Sequence, residues 1–88
     1  DIAIIPKDTS KLAILLELKS VKLPKHATEE EGDERLQQEA QAALAQIETH
    51  AYGAELQQRG FQDILNIGLA FCGKTFQMHA KRSSCTNS

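Results

Sequence analysis

The sequence predicts an α/β domain: a mixed four-stranded sheet with one long and one short helix, in the order strand, strand, helix, strand, strand. Three observations carry this. Two apolar, β-branched runs lie within Asp1–Lys19, separated by a short polar connection. The middle of the chain then changes to a helical period, and two further strand-like runs flank Gly73-Lys74. At 88 residues the chain allows one domain, with the thin stability margin of a small core.

Asp1-Ile2-Ala3-Ile4-Ile5 is a strand stopped by Pro6. Lys7–Lys11 is a polar link. Leu12–Lys19 is almost continuously apolar as far as Glu17, which suggests a strand covered on both faces. A link of about five residues makes the pair an antiparallel hairpin. Pro24 ends the segment that follows. Leu36, Ala40, Ala43, Leu44 and Ile47 then recur at helical spacing. Thr28 with Glu31 forms a capping box that would start this helix, although Gly32 leaves a start at Asp33 open. A short helix is expected over Tyr52–Gln58, with Gly60 as its stop. Ile64–Cys72 reads as a strand, Gly73-Lys74 as a tight turn, and Thr75–His79 as the partner strand. We expect the core to span 1–80 and 81–88 to be a polar, fraying tail.

Net charge is -2, so the chain as a whole carries no nucleic-acid signature. The acidic run Glu29–Glu34 suits the positive end of a helix. Cys72 lies in an apolar run and Cys85 in the polar tail; they do not pair as metal ligands, and isolated cysteines agree with a reducing, cytoplasmic setting. His26, His50 and His79 lack metal-ligand spacing. No apolar run approaches the length of about 20 residues needed to span a bilayer. Lys74, Lys81 and Arg82 are candidates for contact with a nucleic-acid backbone, with simple solubility the leading alternative. The chain opens inside an apolar run, and we read it as a piece of a longer protein.

The chemistry centres on Glu17 and Lys19. Residues two apart on a strand share a face, so a carboxylate and an ammonium emerge together at the end of an apolar strand. An exposed ion pair of little energetic weight is one reading. Asp1 supplies another. An antiparallel hairpin sets the start of one strand against the end of the next, which brings Asp1 toward Glu17. Two close carboxylates need a positive charge between them. Mg²⁺ suits that position, since it takes oxygen ligands and often uses one or two carboxylates, and the Leu18 carbonyl is a further candidate ligand. Lys19 would then orient the nucleophile and offset developing charge.

Asp1, a hairpin, then Glu17-Leu18-Lys19 resembles the Asp…Glu-x-Lys signature of the PD-(D/E)XK nuclease superfamily. The likeness is closest to bacterial nuclease-like domains found downstream of ATPase-like domains. It rests on four ordered blocks: Asp1–Asp8, Glu17–Lys19, Ala43-Leu44-Ala45-Gln46-Ile47 with Tyr52 beyond, and Ile67–Lys74. The resemblance implies a restriction-endonuclease-like fold, here N-terminally truncated. It also implies a Mg²⁺- or Mn²⁺-dependent phosphodiesterase acting on DNA ahead of RNA. Asp1 and Glu17 would be the metal ligands with Leu18, Lys19 the catalytic cation, and Gln46 a helical site residue. Tyr52 reads first as packing at a helix junction. Relatives carry a helix before the Asp. Without one, a sheet face would lie uncovered, favouring a homodimer or a linked domain of the parent protein, and would leave the activity of this piece in question. The competing function is a module that keeps the fold without chemistry and binds protein or nucleic acid.

Overall fold

The structure is a computed structural model describing residues 2–49 and 52–84. Along the chain run β1 (Ile2–Ile4), β2 (Ala13–Ser20), α1 (Glu29–Thr49), α2 (Tyr52–Gln58), β3 (Asp63–Cys72) and β4 (Thr75–Ser84). The strands form one sheet in the order β1-β2-β3-β4. β1 is antiparallel to β2, β2 parallel to β3, and β3 antiparallel to β4. This is the mixed sheet expected from the sequence, with both helices between the two parallel strands.

Local chemistry explains the boundaries. Between β1 and β2, Asp8 Oδ1 accepts bonds from the Ser10 amide at 2.9 Å and the Ser10 hydroxyl at 2.7 Å, and the Lys11 amide donates to the Asp8 carbonyl at 3.1 Å. That Asx-type turn reverses the chain. Thr28 Oγ1 accepts from the Glu31 amide at 3.1 Å and its hydroxyl donates to Glu31 Oε1 at 3.2 Å. The cap at Thr28 therefore starts α1, and Gly32 lies inside the helix, buried under Leu23. The helix continues to Thr49, where the sequence pattern alone was dense only to Ile47.

Helix α2 ends as the sequence indicates. The Phe61 amide donates to the Leu56 carbonyl and the Gly60 amide to the Gln57 carbonyl, both at 3.0 Å, with Gly60 at φ 104°. Those two bonds are a Schellman termination, and the left-handed residue it requires is glycine. Gly73, at φ 59°, opens the two-residue turn between Cys72 and Thr75, which face each other across the ladder. β4 does not stop at His79: it pairs as far as Ser84, opposite Asp63. Polar Lys81-Arg82-Ser83-Ser84 can occupy a strand because β4 is a sheet edge.

One face of the sheet carries the core. Ala13, Leu15, Val21, Ile64 and Ala70 point toward α1, whose Leu36, Ala40, Ala43 and Ile47 are buried against them. Leu56 of α2 and Phe61 extend the core at the other end. Each such large side chain contributes about 1.5–3 kcal/mol on burial. The closest approach is at Gly68 of β3. A Cβ there would overlap the Ala40 carbonyl oxygen and stand 2.5 Å from the Leu44 amide nitrogen. Glycine at this position lets α1 lie directly on the sheet.

The opposite face differs from the expectation that β2 is covered on both sides. It presents Ile14, Leu16, Leu18, Leu65, Ile67, Leu69 and Phe71, flanked by Ile2, Ile4, Phe76 and Met78 from the edge strands. Leu18 is 40% exposed, Phe76 58% and Met78 51%. Among the described residues no element packs over this face. The apolar run in β2 thus records a need for cover that this chain's described elements meet on one side.

Candidate active site

Glu17 and Lys19 lie on β2, on the same face as the buried Ala13, Leu15 and Val21. They therefore emerge on the helix-covered side, and both are half-buried. In the parallel ladder Glu17 stands opposite Gly68 and Lys19 opposite Ala70. The backbone of α1 lies directly over Gly68, and Ala70 is buried beneath the helix, so the two charged residues stand at the β2 side of the α1 seat. The ion pair that one of the two readings placed between Glu17 and Lys19 is not formed. Among the described residues neither makes a side-chain hydrogen bond or an ion pair. A half-buried carboxylate and ammonium, side by side and unengaged, are available to a ligand.

Asp1 lies outside the described residues. Its chain neighbour Ile2 is the Cα partner of Leu16, the residue before Glu17. The antiparallel hairpin expected from the sequence is present, in that register. Leu18 sits on β2 opposite Leu69 with its side chain on the open face.

Helix α1 places Gln46. Each residue turns a helix by about 100°, so Gln46 and Glu48 flank the buried line Leu36–Ala40–Ala43–Ile47 on opposite sides. Glu48 faces β4, where it pairs with Lys81 at 3.7 Å. Gln46, half-buried, therefore faces the β2 side, where Glu17 and Lys19 stand.

A cavity of about 340 Å³ opens next to Glu17, between β1, β2, the end of α1, and α2. Leu15, Ile47 and Leu56 form its apolar wall; Glu17, Glu55 and Arg59 are the charged groups lining it. Sequence reasoning missed Glu55 and Arg59. The signal available was their spacing of four at the end of a short helix, but their convergence on Glu17 depends on how α2 docks. Of the basic residues weighed as backbone contacts, Lys81 is joined to Glu48 and Arg82 is bound in a fork to Asp63 at 3.1 and 2.7 Å. The Arg82–Asp63 bond raises the arginine's already high pKa. Lys74, in the β3–β4 turn, is exposed. His50 and Cys85 lie outside the described residues, as does the second half of the expected tail, residues 85–88.

The sequence model of the PD-(D/E)XK nuclease superfamily matches residues 1–81. The chain belongs to the PD-(D/E)XK nuclease superfamily. Its mixed α/β sheet with two helices agrees with the restriction-endonuclease-like fold of that superfamily. No curated protein and no solved structure matches the chain. Superfamily membership implies action on nucleic acid and use of a divalent metal. The donors in and beside the cavity fit a hard cation: the nearby groups offer carboxylate oxygen, and neither thiolate nor imidazole is among the described lining residues. Among the described residues no group of three or more His, Cys, Asp or Glu is placed to form a full cage. Mg²⁺ does not require one, because it retains several waters. Among the described residues, no helix is long and apolar enough to cross a membrane.

Proposed function

We propose that this superfamily member is a Mg²⁺- or Mn²⁺-dependent nuclease that hydrolyses phosphodiester bonds, with DNA ahead of RNA as substrate. The observation that carries the reading is the pair Glu17 and Lys19: half-buried, on one face and without partners among the described residues, with Glu17 lining a cavity. Structural ion pairs engage each other, and these two do not. In this reading Asp1 and Glu17 hold the cation, with the Leu18 carbonyl as a further oxygen donor. The register Ile2–Leu16 supports the pairing of the two acids, because Asp1 precedes Ile2 and Glu17 follows Leu16 in an antiparallel pair.

When bound, the divalent ion supplies Lewis acidity at the phosphate and at the attacking water. The protein's own groups do the rest. Lys19 holds an ammonium near the scissile phosphate and offsets the charge that builds as water attacks and the P–O bond breaks. Gln46 orients the substrate or the water by hydrogen bonding from the flank of α1. The apolar wall of Leu15, Ile47 and Leu56 limits solvent and so strengthens these charge interactions. The setting is cytoplasmic, in a parent protein where an ATPase-like domain precedes this one. The open sheet face serves as the partner surface, with a second copy of the chain as its occupant. Its strands present roughly 500 Å² per copy, near the lower limit for a specific interface, so the dimer is weak and reversible.

The test uses Lys19→Ala and Glu17→Gln with a labelled duplex DNA and a labelled RNA. Lys19→Ala is expected to lower the cleavage rate by about 100-fold or more, with folding intact. Glu17→Gln is expected to weaken Mn²⁺ binding measured by titration calorimetry. Nucleic-acid binding without metal-dependent cleavage, unchanged in Lys19→Ala, would instead identify a binding module that keeps the fold without chemistry.

A further inference from the structure

Arg59 is the one cation among the described residues lining the cavity beside Glu17. Its position is fixed twice. Its backbone is the cap of α2, and its amide donates to the Glu55 and Leu56 carbonyls at 3.1 Å each. The Schellman bonds on either side hold the chain direction. Its guanidinium carbon then lies 5.9 Å from the centroid of the Phe61 ring. Phe61 is 2% exposed and packed with Leu56 and Ile64, so the platform under the guanidinium is part of the core.

The charge it does not pair with is equally informative. Glu55 precedes Arg59 by four residues, the order and spacing that favour an ion pair. Glu55 and Glu17 both line the same cavity. Yet among the described residues Arg59 forms no ion pair with either. A planar fork of donors, seated on an aromatic face and left unpaired at a cavity mouth, is suited to an oxyanion with two acceptor oxygens. Two carboxylates in the same cavity would repel a phosphodiester, and Arg59 is the lining group that can offset them.

We infer that Arg59 is a positioning residue that binds a backbone phosphate of the nucleic acid beside the bond that is cut, an assignment that rests on the nuclease reading. It sets where the substrate lies rather than taking part in bond cleavage. Its effect therefore falls on binding and KM, while the turnover of bound substrate stays with Glu17 and Lys19.

The experiment compares wild type, Arg59→Gln and Arg59→Lys in the 88-residue chain. A fluorescein-labelled duplex DNA is titrated in EDTA at several salt concentrations, and cleavage is followed separately with Mn²⁺. Arg59→Gln is expected to weaken binding roughly ten-fold and to lower the salt slope by about one. KM rises while kcat changes less than about two-fold. Arg59→Lys, which keeps the charge and loses the fork, falls between the two. Unchanged affinity and salt slope in Arg59→Gln, with wild-type cleavage, would overturn the assignment and leave the nuclease standing. The expected loss of binding in Arg59→Gln, beside a wild type that binds DNA but never cleaves it, would keep the phosphate contact and overturn the nuclease reading. A loss of melting temperature in Arg59→Gln that Arg59→Lys restores without restoring DNA affinity supports the assignment. Restoration of both melting temperature and full affinity by Arg59→Lys assigns a simple charge to the site and overturns the fork. Absence of DNA binding by the wild type overturns it as well.

Discussion

Replacing Gly68 with alanine adds a single methyl group in the centre of the sheet, and the structure sets its effect. That methyl group would overlap the Ala40 carbonyl oxygen and lie 2.5 Å from the Leu44 amide nitrogen, where ordinary contact begins at 3.4 Å. Both obstacles are backbone atoms of α1, so no side chain can rotate away. The helix must rise by roughly 1 Å or tilt, loosening Leu36, Ala40 and Ala43 from β2 and β3. Overpacking of this kind costs about 1–3 kcal/mol, and partial loss of the α1 interface brings the total to about 2–4 kcal/mol. For a domain of this size that lowers Tm by roughly 10–25 °C. Circular dichroism during thermal unfolding measures it. The sign is diagnostic, because glycine to alanine in an unobstructed strand would stabilise by roughly 0.5–1 kcal/mol. A Gly68→Ala protein that melts at or above the wild-type temperature would refute the seating of α1 on β3. Rescue by Ala40→Gly would refute it too, because that change removes a side chain and leaves the obstructing carbonyl in place.

Other outcomes are expected from single sites. Thr28→Ala removes the oxygen that accepts the Glu31 amide and should cost about 1 kcal/mol in denaturant unfolding, with Thr28→Ser near neutral. Leu36→Ala, at a fully buried position, should cost about 2–5 kcal/mol by the same measurement. Asp8 is held below the usual carboxylate range first by the Ser10 hydroxyl and then by the Ser10 amide. Because the folded pKa is the lower one, its contribution is present above 3.8 and fades as pH falls below that value. The difference in Tm between wild type and Asp8→Ala should therefore be constant between about pH 5 and 8 and vanish in strong acid. A difference that grows on acidification would contradict the hydrogen-bond assignment.

Much of the architecture was legible because its signals are local. Thr28 and Glu31 mark a helix start whatever packs above it, and Gly60 and Gly73 mark backbone turns that other residues resist. The common face of Glu17 and Lys19 follows from the two-residue strand period, and the flank occupied by Gln46 follows from the helical one. Less local facts were hidden. The end of β4 was invisible because Lys81–Ser84 look like a solvated tail; their strand state comes from the ladder to β3 and from the Arg82–Asp63 fork. The apolar run of β2 declared that two faces want cover without declaring what supplies it. Arg59 and Glu55 reach the cavity only once Leu56 docks α2 against Leu15 and Ile47, a contact no sequence period encodes. The proposed role of Asp1 as a second carboxylate rests on its place in the chain and on the register of its neighbour Ile2.

The single parallel pairing has a kinetic consequence. β1–β2 and β3–β4 are each joined by short links and can zip locally, but β2 and β3 are separated by the whole stretch of both helices. Their register must await closure of that long loop, and the entropy lost in closing it is repaid once α1 settles over Gly68. Two ready-made hairpins joined late through one glycine-lined seam should refold in a single slow step. Substitutions in that seam should retard refolding, and those at the tip of β3–β4 should chiefly hasten unfolding.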